Sequence, residues 1–552
     1  MAPAVDEDAL EREHIAGNWL MSGNESPSSK LDMFRGMDIA WLGGQWVDRE
    51  PEKTFLIWAP FEGEERRWSY AEFASDANRF AAGLHDRGIG AGDFVLVHLE
   101  NCPELLIAWF GCAILGAVPV TTNSRAVPAD VRYFAEVMRP VAAVTQPSFA
   151  AMVREACGDA TCMIMTESQP PTDGPTQGPE EFGAEPFSQF CSDSPLPDLP
   201  RDPARDFSVQ FTSGTTSRPR PTVWTHANAL WCGRSMAMSM RLRREDATLV
   251  YMPLFHANAQ VALLTTLWSG GTVVLQPKFS ASRFWDTCAR YGVTWASMIP
   301  FAFKALQGRP VPEHRVRVLM SLARLPDPER EFGVETIGYW GMTETVASAI
   351  IADADHVGPP GTMGRPSPFY GIEVRKEDGS PAGPGEQGLL FIHGERGVSL
   401  FKQYYHNPEA TEDAFDANGA LDTGDMVRID EDGWFFFVGR DKDMLRVGGE
   451  NVAASEIERV ITESGLVEEC AVVAQKHHML GDVPAAFVIL NDAGKALPEA
   501  DLIEKITAYC RENLADFKVT RSVQVVDELP RTTLDKVAKN QLRDRLPPID
   551  AD

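Results

Sequence analysis

Four hydroxyl residues surround a single glycine in the run FTSGTTSRPR (residues 211–220): Thr212, Ser213, Thr215 and Thr216 about Gly214. Glycine lets a backbone turn tightly, and clustered N–H and O–H donors can cradle phosphate oxygens. The run follows a segment of strand character and lacks the G-x-x-x-x-G-K-[ST] spacing of a Walker A loop. Taken alone it also reads as a polar surface loop. Other single residues are equally two-sided. Glu344 after Thr343 reads as an acid at a helix N-terminus, Asp425 in TGD as a turn residue, and Gly448–Gly449 as a β-turn. Lys536 opens a basic helical pattern and reads as solvated, His256 as structural, and Trp340, beside a strand, as core. The nine cysteines show no CxxC pair and no Cys/His cluster, so neither zinc nor a disulfide framework is indicated.

These residues sit on an alternating pattern. From about residue 68 to 146, helical runs (YAEFASDANRFAAGLHDRG) alternate with short β-rich ones (DFVLVHL, VAAVTQ), the mark of βα units around a parallel sheet. Residues 166–206 carry nine prolines and many acids, which predicts an exposed connection. Strand character resumes in SVQFTSG, TLVYMPLF, GTVVLQ, VTWASMI and VETIGYWG, with a helix at FSASRFWDTCARYG. From residue 358, runs such as IEVRKEDG, GLLFIHG and GWFFFVGR, separated by glycine-rich turns, predict a small antiparallel β region. A compact α+β segment follows residue 439. It has helices near 455–463 and at DLIEKITAYCREN, strands at CAVVAQ, PAAFVIL and SVQVV, and a basic amphipathic helix at KVAKNQLRDRL. The charged stretch 440–443 is the candidate hinge. The expected fold is therefore α/β, with a large domain over residues 1–439 and a small one over 440–552; residues 1–30 are polar and acidic, as in a disordered tail.

The 552 residues are 44% hydrophobic and 24% charged, which excludes collagen-like, mucin-like and wholly disordered chains. With 51 basic against 79 acidic residues the net charge is −28, a surface that repels nucleic acid and anionic membranes. The longest apolar run, LLIAWFGCAILGAVPV (105–120), is too short for a membrane span and reads as a buried helix followed by a strand. The N-terminus lacks the basic and apolar regions of a signal peptide, and the C-terminus lacks a lipidation or peroxisomal signal. A cytoplasmic location is expected.

Taken in order, the segments resemble the acyl-adenylate-forming superfamily of acyl-CoA synthetases, adenylation domains and luciferases. The resemblance rests on FTSGTTSRPR, PLFH (253–256), YWGMTE (339–344), GRP (364–366), TGD (423–425), GRDKDMLRVGGENVAASEIE (439–458) and LPRTTLDK (529–536), and spans about residues 60–545. LFHANAQ, YWGMTET, FKQYYHNPEAT, RVGGENV and the T-S-R after the paired threonines are most similar to bacterial crotonobetaine/carnitine-CoA ligases.

The resemblance implies an ATP-dependent carboxylic acid–CoA ligase that forms acyl-AMP and pyrophosphate, then acyl-CoA and AMP. Its cofactors would be ATP, Mg²⁺ and coenzyme A. Lys536 would bridge the carboxylate and α-phosphate, and His256 would be a mobile gate beside them. Glu344 and Thr215 would hold the metal. Thr212, Ser213, Gly214, Thr215, Thr216, Arg220 and Thr343 would serve the phosphates, Trp340 the adenine, and Asp425 and Arg440 the ribose. Lys442 would be the hinge, about which the small domain turns to bring Gly448 and Gly449 to the thiol tunnel. The acid pocket would be lined from residues 256–260, 298–303 and 321–325 and by Trp340. The partner would be a small-molecule carboxylic acid, without nucleic acid, and a homodimer is compatible. Two other readings stay open: a stand-alone enzyme loading a carrier-protein thiol, and a nucleotide- or acyl-binding homologue with impaired catalysis. Arg220 and Pro221 stand where the family has lysine and glycine, Asp535 where it has glycine, and the adenine-loop sequence is unrecognisable in MSLARLP (320–326).

Overall fold

The computed structural model describes residues 33–166, 178–212, 218–440, 444–530 and 537–549. Among them the expected α/β alternation builds two large sheets. In the first, the strands Glu335–Trp340, Val318–Ser321, Trp295–Ser297, Ala247–Val250, Thr272–Leu275 and Thr54–Trp58 lie parallel in that order. The antiparallel strands Arg66–Ser69 on one side and Ile350–Ile351 and Arg365–Pro366 on the other complete it. The second runs Gln403–Tyr404, Arg220–Thr225, Asp206–Thr212, Val118–Thr121, Phe94–His98, Ala142–Thr145, Cys162–Met165 and Ala184–Pro186. Ligands of such sheets gather beyond the carboxyl ends of the parallel strands. That is where residues 298–299, 322–325 and 341–344 emerge from the first sheet.

Local chemistry sets the helices between them. Ser69 and Glu72 close a capping box at the start of Tyr70–Asp86. The apolar run becomes the helix Pro103–Leu115, opened by proline at its first position, closed by Gly116 at φ +79°, and buried nearly all round, followed by the strand Val118–Thr121. No helix among the described residues is long and apolar enough to cross a membrane. The antiparallel region is a four-stranded sheet of Gly371–Arg375, Gln387–His393, Leu421–Ile429 and Phe435–Arg440.

The small C-terminal domain has its own sheet. The long hairpin Val467–His477 and Gly481–Leu490 pairs with Met444–Val447 and Ser522–Val525, and Glu450–Ala453 completes it. The helices Ala454–Glu463 and Glu499–Asn513 bury Ile457, Val460, Ile461, Leu502 and Ile506 in a separate core. Inside this domain Lys518 Nζ donates to Glu456 Oε1 at 2.6 Å, both side chains being buried.

Two expectations need correction. The proline-rich stretch is not wholly a connection: the strand Ala184–Pro186 extends the second sheet, and the short helix Phe187–Phe190 buries both phenylalanines against Phe80. The proline and acid content hid two core aromatics. The basic helix at the C-terminal end is only Lys539–Arg543; Leu542 is buried against the sheet, and Lys539 pairs with Glu458 at 2.7 Å. The 1–30 tail and most of the 440–443 hinge, Lys442 included, lie outside the described residues.

Candidate active site

A cavity of about 950 Å³ opens beyond the strand ends, with walls from both domains. On one side the strand ending at Thr212 and the strand starting at Arg220 pair antiparallel, with Thr212 opposite Arg220. Ser213, Gly214, Thr215 and Thr216, between them, lie outside the described residues. Thr212 Oγ1 lies 3.4 Å from Glu344 Oε1 and 3.2 Å from Thr222 Oγ1. Tyr404 donates to the same Glu344 oxygen at 2.7 Å. Burial first, and then the Glu344 charge and hydrogen bond, push the Tyr404 hydroxyl well above its ordinary value, so it stays a donor. Arg220 lies over the Tyr404 ring, 5.2 Å from its centroid, and its buried Nε has no hydrogen-bond partner among the described residues.

Glu344 is fixed at both ends of its residue. It sits in a 3₁₀ turn, Thr343–Thr345, and is 4% exposed. Its carbonyl accepts from Phe401 N, and the Thr343 carbonyl accepts from Trp224 Nε1 at 2.9 Å. The loop carrying Phe401 is held in turn by Thr225 Oγ1 on Gly397 O, and by Asn228 Nδ2 on Val398 O and Leu400 O. Such over-determination is what a carboxylate needs to be presented in one geometry.

Next to it, Trp340 Nε1 donates to Asp425 Oδ2 at 2.8 Å, linking the first large sheet to the antiparallel one. Asp425 is buried within the strand Leu421–Ile429 rather than in an exposed turn, opposite Arg440 in the ladder. Ser321 ends the Val318–Ser321 strand, and Leu322 and Ala323 beyond it line the cavity. MSLARLP thus runs from the end of this strand along the cavity wall. Arg324 there pairs with Glu329 at 3.0 Å and bonds the Gly358 carbonyl.

Across the cavity, His256 caps the helix Ala257–Ser269, and its Nε2 lies 2.6 Å from Glu450 Oε2 of the small domain. Gly449, beside it, has φ +96°, and a Cβ there would come within 2.9 Å of Ile299 Cδ1. Gly448, at φ +58°, completes the turn. Arg125 spans the same interface, 3.4 Å from Asp516 and 4.5 Å from the Phe517 ring centroid. Lys304 Nζ bonds the His478 carbonyl.

Of the residues expected at the acid pocket, His256, Ala257, Asn258, Ile299, Leu322, Ala323 and Trp340 line this cavity. Gln260 is instead buried on Thr121 and the Leu254 carbonyl, and Met298 and Phe303 belong to a core cluster. Lys536 lies outside the described residues. Sequence reasoning missed Tyr404, although it stands in FKQYYHNPEAT, and Glu450, next to the glycine pair.

No group of three or more His, Cys, Asp or Glu side chains able to hold a metal occurs among the described residues. One buried carboxylate beside a hydroxyl fits a cation that takes most of its oxygens from phosphate and water, the habit of Mg²⁺.

A family model described as AMP-binding enzyme matches residues 44–405, and one described as AMP-binding enzyme C-terminal domain matches residues 456–536. The chain belongs to the AMP-binding enzyme family, within the acyl-adenylate-forming superfamily. It is 33% identical over 535 residues to the crotonobetaine/carnitine–CoA ligase of Salmonella heidelberg (strain SL476), covering 93% of this chain and all of that one. The o-succinylbenzoate CoA synthetase of Bacillus subtilis, a double mutant bound with a product analogue, superposes with a TM-score of 0.77 at 25% identity, covering 92% of this chain and 98% of the other. The benzoate CoA ligase of Burkholderia xenovorans LB400 gives 0.65 at 25% identity, covering 92% and 100%.

Proposed function

We propose that the protein is an AMP-forming acid–thiol ligase: it joins a carboxylic acid to AMP with loss of pyrophosphate, then transfers the acyl group to coenzyme A. In the first step a carboxylate oxygen attacks the α-phosphorus and the bond to pyrophosphate breaks. In the second the CoA sulfur attacks the acyl carbon and AMP leaves. Both partners of the first step are anionic, so positive charge and donors must be placed over the developing transition state. Thr212, Arg220 and Thr343 offer these on the phosphate side, with Ser213, Gly214, Thr215 and Thr216 between them in sequence. Lys536 is proposed to bridge the reacting oxygens. Glu344, with Thr215, is proposed to hold Mg²⁺, which when bound spreads positive charge over the phosphate oxygens. Trp340 forms the adenine wall and holds Asp425 as acceptor for the ribose hydroxyls, with Arg440 as its partner. Lys442 is proposed as the hinge.

One observation carries this reading: a single cavity joins the Thr212–Glu344–Tyr404 cluster and the Trp340–Asp425 pair to Gly449 and the His256–Glu450 pair of the domain interface. The residues proposed for the nucleotide and the glycine proposed for the thiol, Gly449, line one space, as two successive steps on one acyl group require. The docked small domain supports the thioester-forming arrangement, as does the likeness to a synthetase bound with its product analogue. CoA as acceptor, rather than a carrier protein, is supported by relatives named as CoA ligases.

Nine free cysteines without a disulfide support a reducing, cytoplasmic setting, and the net charge of −28 argues against nucleic-acid partners. A homodimer remains a proposal for light scattering to test. The decisive experiment is a carboxylic-acid panel scored by ATP–pyrophosphate exchange without CoA, and by AMP and thioester formation with it. Exchange that needs an acid but not CoA is expected. Release of ADP and phosphate would overturn the mechanism.

A further inference from the structure

One short helix of the large domain, Pro300–Leu306, meets the small domain at two points. Ile299 caps its start and stands opposite Gly449, where a Cβ would come within 2.9 Å of Ile299 Cδ1. Lys304, little more than one turn on, is exposed, and its Nζ donates to the His478 carbonyl. His478 belongs to the tip of the hairpin Val467–His477 and Gly481–Leu490. His477 and Gly481 form the last pair of that ladder and leave His478, Met479 and Leu480 to make the turn.

The turn is built around the His477 ring. That residue is buried, and its Nδ1 accepts from Met479 N at 3.1 Å and from Leu480 N at 3.3 Å. A ring nitrogen that accepts two N–H groups carries no hydrogen of its own, so the neutral imidazole keeps its hydrogen on Nε2. The C-terminal segment holds the same strand from behind: His478 N donates to Ile549 O at 3.0 Å, and Ile549 N to Lys476 O at 2.8 Å. These bonds aim two carbonyls. The one on His478 faces Lys304, and the one on Leu480 accepts from Gly448 N at 2.8 Å.

The contacts close a ring that runs from Ile299 along its helix to Lys304, through the hairpin tip to Gly448 and Gly449, and back to Ile299. Each link is a hydrogen bond or a few residues of continuous backbone, so a shift of the tip is passed on to the gap between Gly449 and Ile299. We infer that His477 is a positioning residue for the thioester step: through the hairpin tip it couples the docking contact at Lys304 to the placement of Gly448 and Gly449. The inference rests on the ligase reading above. His477, His478 and Lys304 do not line the cavity, so substituting them leaves its own groups in place.

The test uses the full-length protein and the panel acid that gives the fastest ATP–pyrophosphate exchange, with exchange and thioester formation from its adenylate measured separately. His477→Ala should leave exchange within about 2-fold of wild type and slow thioester formation by about 10- to 100-fold, the loss of two hydrogen bonds at one acceptor. His477→Asn, whose amide oxygen can stand where Nδ1 stood, should recover that rate to within about 5-fold of wild type. Lys304→Met changes an exposed side chain of the other domain, so it serves even if His477→Ala fails to fold. It should slow the same step by about 5- to 30-fold and spare exchange. The double variant should be little slower than His477→Ala alone, because both changes act on one link. Wild-type thioester rates for Lys304→Met, an additive double variant, or no recovery in His477→Asn would overturn the inference and leave the ligase reading intact. Equal losses of exchange and thioester formation in His477→Ala would do the same. Failure of every acid to give exchange would remove both.

Discussion

His256 and Glu450 lie 194 positions apart in the chain and 2.6 Å apart in space, one at the head of a large-domain helix, the other on the edge strand of the small domain. Burial alone would raise the Glu450 carboxyl, but the charge and hydrogen bond of His256, helped by Arg125 and Lys518, bring it below its ordinary value. The pair therefore reports docking of the small domain onto the site. A histidine held by the incoming domain is also a histidine drawn to one side of the cavity.

Glu450→Gln should thus leave acyl-AMP formation within about 2-fold of wild type and slow thioester formation from supplied acyl-AMP by about 10- to 100-fold, the worth of one charge-assisted hydrogen bond. Because the carboxyl is depressed only when docked, docking gains stability above the ordinary value of 4.5 and loses it as pH falls through the depressed one. The second half-reaction should accordingly lose its Glu450-dependent advantage at the acid end of a pH profile, and Glu450→Gln should abolish that limb. Equal losses in both half-reactions would refute the docking role.

Arg220 stands over Tyr404 at the edge of the Glu344 cluster. It sits between Pro219 and Pro221, and its backbone is the extended start of a strand. Arg220→Ala should raise the ATP KM by about 10- to 100-fold and leave the acid KM nearly unchanged, with Arg220→Lys between, because the charge survives and the fork does not. Wild-type kinetics for Arg220→Ala, with ATP varied at saturating acid, would remove Arg220 from the residues proposed to serve the phosphates.

Gly449 offers the sharpest separation of steps. At φ +96°, with Ile299 Cδ1 2.9 Å from where a Cβ would stand, any larger residue is both strained and obstructing. Gly449→Leu should spare ATP–pyrophosphate exchange and block thioester formation, whereas Lys536→Ala should do the reverse, slowing adenylation by about 100-fold or more. Stopped-flow assays of each half-reaction decide it; if both variants impair both steps alike, the domain-alternation proposal fails.

The buried Lys518–Glu456 pair makes a prediction about stability alone. Lys518→Met leaves a buried carboxylate unpaired and should cost about 3–5 kcal/mol in the small domain, read by chemical denaturation. Adding Glu456→Leu should restore most of that loss. A single variant as stable as wild type would mean that solvent already reaches the pair.

The βα alternation, the buried helix at 103–115, the antiparallel region and the positions of Glu344, Asp425 and Gly449 were all legible along the chain, because periodicity and ordered motifs are local signals. What stayed hidden is relational. Nothing near Glu450 names His256, nothing near Tyr404 names Glu344, and nothing near Lys304 names His478. Phe187 and Phe190 were masked by the prolines around them, since composition averages over a window that two buried rings cannot shift.

The cavity draws its lining from both domains, so the placement of the small domain sets part of its outline. An acid too long for the large-domain chamber could still be adenylated while the small domain stands away. It would then protrude into the space that Gly449 and Glu450 must fill. Length selection in this enzyme would therefore fall on the thiol step, as a failure of closure, and a rejected acid would accumulate as its adenylate.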